Sequence, residues 1–285
     1  MGKIDAYAKP VLVDTDWLAE HLGDDGVVVA EVDESPELYD EGHIPGAVKL
    51  HWQEDLQDPV ERDLVGREDF ERLLGSRGVG SDTTVVLYGD KNNWFAAYAY
   101  WYLKVYGHGD VRILDGGRQK WIDEGRDLTA DAPSPKAVEY HAGERDESIR
   151  AYRDQVREWI GAGNRALVDV RSAGEYAGDL VAPPGYEQEG AQRAGHIPTA
   201  ASIPWASAVA DDGTFRPAEE LRDLYAGKGV TADKEVTAYC RIGERSAHTW
   251  FVLHELLGFE KVRNYDGSWT EWGNLVDVPI EKGAG

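Results

Sequence analysis

Cys240 is the only cysteine in the chain, and it stands where the strand-forming run Val236, Thr237, Ala238, Tyr239 gives way to Arg241, Ile242, Gly243, Glu244, Arg245 and Ser246. A thiol between a strand end and a helix start, flanked by two arginines, is in the electropositive setting that favours the thiolate, the nucleophilic form of cysteine. A lone intracellular cysteine is most often a small buried hydrophobe, so its neighbours carry the argument. They form C-x4-R ahead of a helix. Gly243 lets the chain curl without a Cβ clash, and the backbone N–H groups of Ile242, Gly243 and Glu244 can then cup an anion beside the sulfur. Such a cup suits a thiolate, a persulfide or an oxyanion.

Three arginines are candidate anion ligands. Arg241 and Arg245 add charge to the loop, the alternative for each being a salt bridge with a nearby acid such as Glu244 or Asp266. Arg171 directly follows the apolar run Ala166 to Val170. In an open parallel sheet ligands gather at the carboxyl ends of strands, where Cys240 also sits. The alternative for Arg171 is a surface pair with Glu175, four residues on. His43 and His196 each precede Ile-Pro, one in each half of the chain. Because the half without a cysteine has one too, they read as turn-stabilising rather than catalytic. His248, on the helix after the loop, could face either way and is not placed in the site.

The elements that position these residues repeat. Asp82, Val85 and Tyr88 recur as Asp233, Val236 and Tyr239 at an offset of 151 (239 − 88), as do Gly107, Val111, Asp115, Gly116 and Trp121 at Gly258, Val262, Asp266, Gly267 and Trp272. Gly42-His-Ile-Pro45 returns as Gly195-His-Ile-Pro198 at 153 (195 − 42), and Glu31-Val32 answers Asp169-Val170 at 138 (169 − 31). The change of offset predicts an insertion of about 15 residues near Gly178 to Arg193, with the Pro and Gly content of an exposed loop. A period this long means two copies of a domain. Strands are expected at Val27 to Val32, Val85 to Tyr88, Ala166 to Val170 and Val236 to Tyr239, and helices at Phe95 to Val105 and Ala247 to Leu257. Such nearly unbroken apolar strands, alternating with helices, predict an α/β fold of parallel sheets flanked by helices. The expected domains are 1–130 and 149–285, joined by a polar linker over 131–148. At the offset of 151, Cys240 corresponds to Gly89, Arg241 to Asp90 and Arg245 to Trp94. The first copy is therefore expected to be catalytically inactive, and its aromatics Trp94, Tyr98, Trp101 and Tyr102 read as packing that walls one side of a cleft.

The chain has 285 residues, 42% of them hydrophobic, and a net charge of -23. The charge argues against nucleic acid or an anionic membrane as partner. With no signal-like stretch and no apolar run of spanning length, the sequence reads as soluble and cytoplasmic. The large duplicated core predicts a self-sufficient monomer.

The two-copy plan, Gly-His-Ile-Pro in each copy, Asp169-Val-Arg171, the loop Cys240-Arg-Ile-Gly-Glu-Arg245 and the closing Asn264-Tyr-Asp-Gly-Ser-Trp269 together resemble the tandem-domain rhodaneses, the thiosulfate sulfurtransferases. The resemblance implies two rhodanese-like domains, an inactive first copy and an active site between the two. By position, Cys240 matches the persulfide-forming nucleophile of that family and Arg171 the arginine that holds the donor's oxyanion end. Arg241 matches a loop arginine of the thiosulfate-using branch, where the mercaptopyruvate-using branch tends to carry glycine. Ile242 departs from a loop lysine of the animal enzymes, and Arg245 is a candidate replacement for it.

These features predict a two-step transfer with no metal and no organic cofactor. Cys240 takes the outer sulfur of thiosulfate, sulfite leaves, and the persulfide passes its terminal sulfur to cyanide or another thiophilic acceptor. Alternatives are a 3-mercaptopyruvate sulfurtransferase and a persulfide carrier for a protein partner. A cysteine phosphatase would need C-x5-R, and position 246 is serine.

Overall fold

The structure is a computed structural model that describes residues 6–186 and 190–283. It divides into two units, one of Pro10–Asp146 with Ala210–Phe215, the other of the chain up to Lys9, Glu147–Val209 and the residues from Arg216 onward.

The first unit holds strands β1 (Leu12–Val13), β2 (Val27–Glu31), β3 (Val48–Lys49), β4 (Thr84–Tyr88) and β5 (Val111–Leu114), with helices α1 (Thr15–His21), α2 (Leu38–Glu41), α3 (Arg67–Ser76), α4 (Asp90–Val105) and α5 (Gly117–Asp123). Its sheet runs β1-β5-β4-β2-β3, every neighbouring pair parallel. Val85, Val86, Leu87 and Tyr88 of β4 are all buried, as expected for a strand covered on both faces. Helix α4 is buried on nearly every side, and its aromatics pack on one another, Tyr98 lying 6.0 Å from Trp101 and 5.7 Å from Tyr102 between ring centroids. Of the stretch 131–148 expected as a linker, residues 131–146 lie along this unit: Val138 N–H donates to Gly75 O, Asp146 N–H to Val105 O, and Tyr140 is buried.

The second unit holds α6 (Arg153–Trp159), β6 (Arg165–Asp169), α7 (Ala173–Ala177), β7 (Ala201–Ser202), α8 (Ala218–Ala226), β8 (Glu235–Tyr239), α9 (Glu244–Trp250), β9 (Val262–Tyr265) and α10 (Ser268–Trp272). Its sheet runs β7-β6-β8-β9, also parallel. Where β1 pairs with β5 in the first unit, the counterpart here is one bridge, Arg150 to Asn264, and the Arg150 side chain pairs with Asp266. Helix α9 widens into a π-helical turn over Phe251–Leu256, so the helix expected at Ala247 to Leu257 is present but changes winding. Among the described residues no helix is long and apolar enough to cross a membrane.

The repeat extends to side chains. His43 Nδ1 bonds to Tyr39 O at 2.9 Å and stacks on the Tyr39 ring, and His196 does the same with Tyr176 at 2.8 Å. Both histidines are spent on turns.

Candidate active site

The register of β6 against β8 places the site. Asp169 lies opposite Tyr239, so the residues that follow, Val170 and Arg171 on one strand and Cys240 on the other, leave the sheet side by side. Val170 N–H still donates to Tyr239 O at 3.1 Å. The first turn of α10 holds the Cys240 backbone from the far side: Ser268 Oγ accepts from Cys240 N–H at 3.0 Å, and Trp269 N–H donates to Cys240 O at 3.0 Å.

The loop then curls. Gly243 has φ of 99°, and a Cβ there would lie 2.6 Å from Asp266 Cα, so only glycine fits. Asn264 Nδ2–H donates to Gly243 O at 2.9 Å and fixes the curl. As a result Gly243 N–H points at Cys240 Sγ, 3.1 Å away, and Ser246 Oγ stands 3.6 Å from the same sulfur.

The environment of the sulfur departs from the expected cationic one. Cys240 is fully buried and its Sγ donates to Glu244 Oε2 at 3.1 Å; that oxygen also accepts from Ile242 N–H at 3.1 Å. Burial and then the Glu244 charge push the thiol above its ordinary range, with Arg245 and the Ser246 hydrogen bonds pulling the other way. The carboxylate beside the sulfur thus works against the thiolate that its flanking arginines suggested.

Each arginine has a carboxylate beside it. Arg171 pairs with Asp169 through Nε at 2.9 Å and Nη2 at 2.6 Å, not with Glu175, and Nη2 also donates to Gly195 O. Its guanidinium centre stands 4.4 Å from the Trp269 ring centroid, the residue whose N–H holds Cys240 O. Arg171 Nη1 is buried and has no hydrogen-bond partner among the described residues. Arg241 Nη2 lies 3.6 Å from Glu244 Oε1, with its guanidinium centre 4.5 Å from the Tyr186 ring centroid. Arg245 is tied to Glu175 by two bonds of 2.9 and 3.0 Å, while Asp266 is taken by Arg150. Burial alone would raise the Glu175 carboxyl, but hydrogen bonding and charge from Arg245 outweigh it and hold it below the usual range.

Cys240, Arg241, Glu244 and Arg245 thus form one cluster around the sulfur, and Arg171 joins it through Trp269. Sequence reasoning missed Glu244 as a partner of the sulfur, and Ser246, Ser268, Asn264 and Glu175 as supports. One signal was available, since Ser172 and Glu175 form a capping box at the start of α7. Of the insertion expected at Gly178 to Arg193, residues 187–189 lie outside the described residues.

The first unit carries a different loop at this place. The backbone at Lys91, Asn92 and Asn93 is left-handed, with φ of 42°, 59° and 62°. Asp90 accepts from Glu34 N–H at 2.7 Å, and Asn93 is spent on Gly89 N–H and Leu114 O. A Cβ on Gly89 would stand 2.1 Å from Val32 O, so the fold has closed the space a cysteine would need.

The model of the rhodanese-like domain matches twice, over residues 14–124 and 152–275. A protein of Saccharopolyspora erythraea named "Putative thiosulfate sulfurtransferase" is 60% identical over 95% of this chain and 96% of its own length. The sulfur carrier protein TtuD of Thermus thermophilus is 61% identical over 97% of this chain and 99% of its own. Among solved structures, the anaerobic ergothioneine biosynthesis enzyme of Chlorobium limicola, in complex with trimethyl histidine, superposes with a TM-score of 0.83 at 27% identity, over 96% of this chain and 71% of that one.

Proposed function

Because the chain belongs to the rhodanese-like family, whose domain it carries twice, we propose that it is a sulfurtransferase that moves the outer sulfur of thiosulfate through a persulfide on Cys240 to cyanide or another thiophilic acceptor. The observation that carries this is the geometry at the sulfur, where a backbone N–H and a hydroxyl converge on the sole thiol of the chain.

In the first half-reaction the Cys240 sulfur attacks the sulfane sulfur of thiosulfate, the donor S–S bond breaks, and sulfite leaves with the bonding pair. Gly243 N–H stabilises negative charge on the cysteine sulfur and on the persulfide, while Ser246 Oγ, bonded to Asn264 Oδ1, packs 3.6 Å from the sulfur. Arg171, through Nη1, which has no hydrogen-bond partner among the described residues, and Arg241 hold the sulfonate end of the donor. Arg245 serves by anchoring the loop to Glu175. That anchoring also speaks against a phosphatase, in which the loop arginine must turn back over a bound phosphate.

A second reading is favoured by the similarity to TtuD, in which the persulfide is passed on to a protein rather than to a small acceptor. Steady-state kinetics with thiosulfate against 3-mercaptopyruvate as donor, then with cyanide against a protein thiol as acceptor, test the assignment. Turnover with thiosulfate and cyanide supports it; persulfide formation without turnover selects the carrier, and preference for 3-mercaptopyruvate overturns the donor.

A further inference from the structure

The contact between the sulfur and Glu244 is not needed to bind a donor, and its charge opposes an incoming anion. Its chemistry is that of proton transfer. Cys240 Sγ stands 3.1 Å from Glu244 Oε2, inside the range of a hydrogen bond to sulfur, and both side chains are at most 1% exposed. Bulk water is therefore a poor acceptor for the thiol proton. The carboxylate is held in place, Oε2 by Ile242 N–H at 3.1 Å and Oε1 beside Arg241 Nη2 at 3.6 Å and Arg245 Nε at 3.7 Å.

We propose that Glu244 is the internal base of the sulfur-transfer reaction, taking the proton of Cys240 as the sulfur attacks and returning it to the persulfide. This rests on the sulfurtransferase reading above. As the S–H bond breaks, its proton goes to Glu244 Oε2 and its electron pair forms the new bond from Cys240 Sγ to the donor's sulfane sulfur. The donor S–S bond breaks and sulfite departs with that pair. The terminal persulfide sulfur is left negative until Glu244 gives the proton back. Charge is conserved, because the negative charge passes from the carboxylate to sulfur, and the repulsion that Glu244 would exert on an anionic donor is removed in the same step.

Other groups facing the pair are poorly suited to the role. Arg241, Arg245 and Arg171 are cations, Asp169 is held by Arg171, Glu175 by Arg245 and Asp266 by Arg150. Burial holds His248 down to about 3, and burial keeps the Tyr239 hydroxyl protonated. Ser246 and Ser268 are donors to Asn264 and to Tyr265 O.

The test is the pH dependence of two reactions of reduced protein, alkylation by neutral iodoacetamide and single-turnover uptake of sulfur from thiosulfate, in the native chain and in Glu244→Gln. The glutamine retains an oxygen for Ile242 N–H. The native alkylation rate should be level across neutral pH. In Glu244→Gln it should climb about tenfold per pH unit, since only free thiolate then reacts. At neutral pH the variant should take up sulfur roughly 100-fold more slowly, the scale of one general base. Glu244→Asp should recover part of the level profile. Equal profiles in native protein and Glu244→Gln, or faster uptake by the variant, would overturn the role; a purely structural loss would be the same at every pH. If the variant does not fold, the native profile alone decides, because a tenfold rise per unit there rejects the internal base. Alkylation uses no sulfur donor, so a level native profile without sulfur uptake would leave the base standing and remove the sulfurtransferase assignment instead.

Discussion

Glu175 of α7 grips Arg245 of the active loop with both carboxylate oxygens, 70 residues apart in sequence and each nearly inaccessible to solvent. The pair ties the start of α9 to α7, so the loop around Cys240 keeps its curl when no substrate is present. Removing one partner strands the other as a buried charge. Glu175→Ala and Arg245→Ala should each destabilise the chain by about 3–5 kcal/mol. The double variant should lose less than the two added together. Urea unfolding of all three checks this, and simple additivity would show that the pair contributes nothing as a pair.

Gly243→Ala should be damaging out of proportion to one methyl group. The new Cβ meets the Asp266 backbone, and the positive φ adds strain of about 1–3 kcal/mol. Because Gly243 N–H is the donor to the sulfur, sulfur uptake should fall further than stability does. Single-turnover uptake measured beside thermal unfolding separates the two; a variant with native uptake would mean that the curl is dispensable.

Restoring a cysteine to the first unit should not restore a reactive site. Gly89→Cys would drive a Cβ into the Val32 carbonyl and place a thiol on a loop without an arginine at either matching position. The variant should be less stable than the native chain, and mass spectrometry after thiosulfate treatment should find sulfur on Cys240 alone. A second persulfide, on position 89, would contradict the account.

Asp33 and His248 set opposite pH trends. Burial and the neighbouring Glu31 push the Asp33 carboxyl from 3.8 up to about 8. Across that window the folded chain keeps a proton that the unfolded chain has lost, so the stability from Asp33 declines as pH rises, by at most about 1.4 kcal/mol per unit. Burial lowers His248 from 6.5 to about 3, so there the unfolded chain holds the extra proton and stability grows with pH over that window. Asp33→Asn removes only the first trend. Its urea midpoint, followed from acid to mildly alkaline pH, should gain on the native midpoint as pH rises. Parallel curves would mean that Asp33 ionises as an ordinary carboxylate.

Much of this was legible in the chain. The run Val85 to Tyr88 is apolar at every position, and β4 covers it from Thr84. The match of Gly89 to Cys240 marks the chemical difference between the units in the sequence itself. What could not be read was the choice of partner. Arg245 takes Glu175 rather than Asp266 because β6 and β8 pair with Asp169 opposite Tyr239, a register the sequence does not spell out. Glu244 returns to the sulfur only because Gly243 adopts a left-handed conformation, which reverses the sign of the charge nearest Cys240. Nor could the pairing of Arg150 with Asp266, 116 positions on, be read from the chain.

The central claim is that Cys240 receives a sulfur atom from thiosulfate. Intact-mass measurement of the reduced protein before and after thiosulfate treatment tests it directly, with Cys240→Ser alongside. The native chain should gain the mass of one sulfur atom and lose it again to cyanide, while Cys240→Ser gains none. An unchanged native mass, or an equal gain in the serine variant, would contradict the account.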